Sequence, residues 1–126
     1  MSSDLLQTLQ SDLADGAVTL DEAVIRLADA DRDRDIAALI GTRLSVEADI
    51  VARALTAHWQ EAAAMLCRTA GLGANGYSAV LRMRRRAGRI LDASPAALLA
   101  AYVQRPRASR EELAEVLHAY ARPAVE

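Results

Sequence analysis

Lysine and phenylalanine are absent from this sequence, and cysteine, tryptophan and proline are scarce: one Cys, one Trp and three Pro. Each shortage excludes something. Cys67, alone, cannot close an internal disulfide. With no Phe and an aromatic content of 3 %, the core has to be built from Leu, Ile, Val, Met and Ala. A sheet protein would draw on more β-branched and aromatic side chains. No uncharged stretch approaches the about 20 apolar residues of a membrane span. The opening MSSDLLQTLQSD is acidic and lacks the apolar segment of a secretory signal. A cytoplasmic protein is the expectation. The formal net charge of −2 and the pI of about 5.7 are not those of a general nucleic-acid binder, although local patches remain open. All fifteen basic residues are Arg. That bias fits GC-rich codons and points to a GC-rich bacterial genome rather than to chemistry.

Alanine, by contrast, is abundant, with 28 residues, and the apolar share is 52 %. This is the composition of one globular domain over residues 1–126. Alanine is the strongest helix former, and small side chains let helices approach closely. Helix punctuation recurs along the chain. Leu5, Leu6, Leu9 and Leu13 form a stripe ended by Gly16. Thr19 and Glu22 make a capping box ahead of Leu20, Val24 and Leu27. Asp33 and Asp35 can cap and charge the start of a helix carrying Ile36, Leu39 and Ile40. Ser45 is the next expected N-cap, before Ile50, Val51, Ala54 and Leu55. Trp59, Ala63, Leu66 and Ala70 form a stripe stopped by Gly71. Asn75 is the expected cap of a helix with Val80, Met83, Ala87 and Ile90 inward. Ser94-Pro95 starts another with Leu98, Leu99, Tyr102 and Val103, ended by Pro106. Ser109 and Glu112 form a second capping box, before Leu113, Val116, Leu117 and Tyr120.

The expected fold is therefore all-α, about eight short antiparallel helices with short connections. Moving residues 21–42 forward by 27 positions places Val24 on Val51, Arg26 on Arg53, Leu39 on Leu66 and Thr42 on Thr69. This faint repeat leaves two packings open, a helical bundle or a short α-solenoid-like stack.

Gly71, Gly73 and Gly76 spell G-x-G-x-x-G, the dinucleotide fingerprint, with Asp92 about 20 residues on, where a ribose-binding acid would sit. That site needs a strand before the first glycine. The preceding EAAAMLCRTA is helical, so the glycines read as a helix-to-helix turn and no cofactor is expected. Behind them, Arg82, Arg85, Arg86 and Arg89 fall at i, i+3, i+4 and i+7 on one helical face, with Arg84 near its boundary. This face could bind an anion, could be solvated, or could pair internally with the acidic run from Asp29 to Asp35. No aromatic residue interleaves the arginines as a single-strand stacking platform requires.

Other chemistry is thin. DADRDRD lacks the glycine and final glutamate of a calcium loop in either register. His58, His118 and Cys67 have no ligand spacing. Cys67 leans inward as a packing residue, and Trp59 is expected in the core. No nucleophile elbow, P-loop or zincin motif occurs.

Two segments carry a family resemblance: D-I-A-x-L-I-G-x-R-L from Asp35 to Leu44, and L-C-R-x-A-G-L from Leu66 to Leu72. Over Leu20–Arg86 the chain resembles the C-terminal region of an uncharacterised alphaproteobacterial family with an all-helical, HEAT-like domain of unknown function. The resemblance implies a helical scaffold for interactions, without established enzyme activity, and makes the glycine turn a packing feature. The functional expectation is a non-enzymatic interaction or regulatory module. It would recognise an acidic protein partner through Arg82, Arg85, Arg86 and Arg89, with nucleic acid as the alternative ligand of the same residues. A homodimer is also expected, since a small Ala-rich bundle leaves an apolar stripe to bury.

Overall fold

Five helix boundaries fall where the sequence supplies a cap or a glycine stop. The structure, a computed structural model, describes residues 2–57, 60–89, 91 and 93–121. Among the described residues there are eight helices and no strand, the expected all-α architecture. α1 (Ser2–Ala14) ends near Gly16, whose φ of 77° suits a residue without a side chain. Glu22 N–H donates to Thr19 Oγ1 at 3.1 Å and Thr19 N–H donates back to Glu22 Oε1 at 2.8 Å, opening α2 (Leu20–Asp29). The Ser109–Glu112 box opens α8 (Arg110–His118) in the same way. Ser94 Oγ accepts from Ala97 N–H at 3.2 Å, with Pro95 leading α7 (Pro95–Gln104). α5 (Glu61–Ala70) stops at Gly71.

Three boundaries differ from expectation. Ser45 does not open α4 (Ala48–Leu55). It closes α3 (Asp33–Leu44) in the left-handed region, at φ 59°, where its N–H donates to the Gly41 carbonyl. Asp33 and Asp35 accept no capping hydrogen bond; Arg32 holds that position, and the two acids only charge the first turn. Asn75 is inside α6 (Ala74–Arg86), and Gly73 takes the N-cap. The expected stripe of α5 holds for Ala63, Leu66 and Ala70, all buried, while Trp59, His58, Ile90 and Asp92 lie outside the described residues.

A single buried cluster runs from Leu9 in α1 to Leu113 in α8. Alanines Ala23, Ala54, Ala63 and Ala79 are completely enclosed within it. Gly41 marks a close approach of main chain to main chain. A methyl group there would lie 2.6 Å from the Val46 carbonyl oxygen, so backbone meets backbone where α3 turns toward α4. The packing also decides between bundle and stack. In a solenoid each unit touches only its chain neighbours. Here α2 packs on α6, α3 on α5, and α8 on both α4 and α5. The helices form a bundle closed across the sequence.

Candidate functional site

The glycine turn is an anion-binding nest whose anion belongs to the protein. Gly71 closes α5 at φ 91°, and Leu72 N–H returns to the Cys67 carbonyl at 3.0 Å. Leu72 is fully buried, as its place in the turn predicts. The next two glycines meet α2. Gly73 N–H donates to Asp21 Oδ1 at 2.7 Å and Gly76 N–H donates to Asp21 Oδ2 at 2.8 Å. The carboxylate thus spans the first turn of α6, where unsatisfied amides and the helix dipole favour negative charge. It leaves no room for side chains. A methyl on Gly73 would lie 2.9 Å from Asp21 Oδ2, and one on Gly76 would lie 3.1 Å from Asp21 Cγ and collide with Leu72. The G-x-G-x-x-G spacing is real chemistry, with a carboxylate of α2 in the place of a phosphate. Asp21 also explains why Asn75 is not the cap.

Six residues after Gly76 the arginines begin, and they take three different roles. Arg84 is buried, with 2 % of its surface accessible. Its Nη1 donates to the carbonyls of Leu55 and Ala57, both at 2.8 Å. Arg89 Nε donates to the Thr56 carbonyl at 2.6 Å. Between them the two guanidiniums hold three successive carbonyls at the C-terminal end of α4, groups that have no partner within their own helix and carry its negative dipole end. Arg86 turns outward to Asp33 at 2.7 Å and to Asp31 at 3.8 Å, which is the internal pairing with the acidic run. Arg82 and Arg85 are exposed and make no hydrogen bond or ion pair among the described residues.

The i+7 relation of Arg89 to Arg82 does not survive, because the helix ends first. Gly88, at φ 88°, follows the last turn of α6, and Arg89 N–H bonds back to the Arg84 carbonyl at 2.9 Å. Ala87 is accordingly an exposed cap and not an inward residue. Arg84 is the residue that sequence reasoning placed least well. It stands four positions after buried Val80, on the stripe of inward positions, and that spacing was the available signal.

A second polar cluster ties α7 to the turn. Tyr77 and Tyr102 stack with ring centroids 4.0 Å apart, and Tyr102 donates its hydroxyl to the Leu72 carbonyl at 2.6 Å. The Arg68 guanidinium lies 5.8 Å from the Tyr102 ring centre and donates to the Arg105 carbonyl at 2.7 Å. Burial pushes both phenols well above the ordinary tyrosine range. Burial likewise pushes the Cys67 thiol up strongly, and the nearby Arg84 charge lowers it only in part. Cys67 is fully enclosed, so it has the environment of a packing residue. A thiol reagent at pH 8 is expected to leave the native protein unmodified and to label one thiol per chain in denaturant. Rapid native labelling would contradict this burial.

Among the described residues no three His, Cys, Asp or Glu side chains converge as metal ligands, and no helix is long and apolar enough to cross a membrane. His118 sits exposed in the last turn of α8. Within the acidic run, Asp33 goes to Arg86 and Asp35 to Arg32 at 3.5 Å. Comparison of the chain with protein-family models, with curated proteins and with solved structures gives no match.

Proposed function

We propose that the protein is a non-enzymatic interaction module that binds an acidic surface of a protein partner through Arg82 and Arg85. One observation carries this reading: two guanidiniums without an ion pair among the described residues stand one turn apart on a helix whose far end is held by internal arginine contacts. Arg84 and Arg89 fix the end of α6 to α4, and Asp21 fixes its start to α2. The backbone presenting Arg82 and Arg85 is thereby ordered before any partner arrives, which lowers the ordering cost of binding. Arg86 and Arg89, although part of the same arginine run, are engaged internally and contribute as flanking charge. The resemblance to the alphaproteobacterial helical family rests on Asp35–Leu44 and Leu66–Leu72 and points the same way.

A glutamate-rich peptide followed by fluorescence anisotropy tests the reading. Wild-type protein is expected to bind it at low salt, and Arg82→Glu/Arg85→Glu to lose that binding while keeping its circular dichroism. Equal binding by both proteins would remove these arginines from the mechanism. A random DNA duplex tests the alternative ligand. Two phosphate contacts would give a log–log salt slope of about −2, and DNA binding tighter than peptide binding would favour nucleic acid.

A further inference from the structure

A second pair of arginines converges elsewhere, on the outer side of the glycine turn. Arg43 comes from the last turn of α3, and Arg107 from the connection between α7 and α8. A methyl group placed on Gly71 would lie 3.6 Å from Nη2 of Arg107 and 3.7 Å from Nη2 of Arg43. The two guanidinium ends are therefore no farther apart than the sum of those distances. Both side chains are exposed, and neither forms a hydrogen bond or ion pair among the described residues. Asp21, the acid that serves this turn, has its two oxygens on the amides of Gly73 and Gly76. Two like charges thus gather beside a residue with no side chain, and among the described residues neither is bound to a carboxylate.

We propose that Arg43, Arg107 and the open surface of Gly71 form a binding site for a dianionic phosphate group. An oxyanion that accepts at about 2.8 Å from each guanidinium bridges two ends that lie within this limit. Two positive charges match a doubly charged ligand better than a single carboxylate. Guanidinium is also the group suited to multidentate contact with phosphate oxygens. Gly71 contributes open space beside both arginines: a methyl group there would come into contact with each guanidinium, quite apart from the strain at φ 91°. The site is separate from Arg82 and Arg85, so the two assignments stand or fall independently.

The test is an amide-resolved NMR titration of the full chain with inorganic phosphate, against acetate at matched ionic strength. Phosphate is expected to shift the Gly71 and Leu72 amides saturably, and acetate to leave them in place. Arg43→Gln and Arg107→Gln should each weaken phosphate binding tenfold or more, whereas Arg82→Gln/Arg85→Gln should leave it unchanged. Both glutamine variants alter exposed side chains, and their unperturbed spectra would verify folding. Unmoved Gly71 and Leu72 amides, equal shifts with acetate, or full binding by the two glutamine variants would each overturn the site. Separate arms with phosphoserine and with adenosine monophosphate then identify the carrier: binding of either one at least as tightly as inorganic phosphate supports a phosphomonoester ligand.

Discussion

Arg84→Met is expected to lower the unfolding free energy by about 3 kcal/mol, because unpartnered buried polar groups cost roughly 1–3 kcal/mol each. Methionine refills much of the volume, so the change reads the loss of the guanidinium's polar contacts net of the cost of burying its charge. The carbonyls of Leu55 and Ala57 stay in place and lose the donors that reached them at 2.8 Å. Arg84→Lys should recover only part of that loss, since an ammonium cannot reproduce the planar fork. Urea denaturation measures both, with the midpoint moving and the slope unchanged. A methionine variant as stable as wild type would mean that α4 ends satisfactorily without the guanidinium.

Asp21→Ala is expected to cost about 2–3 kcal/mol, the range for hydrogen bonds to a charged group and for loss of a helix cap. It removes the acceptor from both Gly73 and Gly76 at the start of α6. Asp21→Asn keeps one acceptor oxygen and loses the charge, and should fall between. The glycine is coupled to the acid. In wild type, Gly73→Ala drives a methyl to 2.9 Å from Asp21 Oδ2; in the Asp21→Ala background that obstruction is gone. A double-mutant cycle should therefore give an interaction energy of about 1 kcal/mol or more. Strict additivity would show that the carboxylate and the glycine do not share this space.

The parts of the fold that are legible in the sequence are those governed by local rules. Both capping boxes, the Ser94-Pro95 start, and the Gly16 and Gly71 stops depend on residues within one turn of each other, and they form as the sequence predicts. The errors have other causes. Asn75 yields to an acid 54 positions earlier in the chain. Ser45 takes a left-handed closing position because Gly41, four residues before it, admits the Val46 carbonyl against its backbone, a local turn that competes with the N-cap preference of serine. The arginine run divides by burial, and burial depends on where α4 lies. Two local signals do point the right way: the spacing of Arg84 from Val80, and Gly88, which ends α6 and sends Arg89 to the Thr56 carbonyl instead of along the helical face.

The abundance of arginine has a structural use. Arg53 donates to the carbonyl of Tyr120, Arg68 to that of Arg105, Arg84 to those of Leu55 and Ala57, and Arg89 to that of Thr56. In each case a side chain grips main chain from a distant part of the sequence. Every residue type carries a carbonyl oxygen, so the acceptor side of each joint places no demand on side-chain identity. The constraint is one-sided: positions 53, 68, 84 and 89 need a long side chain that ends in a donor, while their acceptor positions are free to drift as far as these joints are concerned. Two related chains could therefore share this framework while differing at most of the residues it joins, and their kinship would be written in the donors alone.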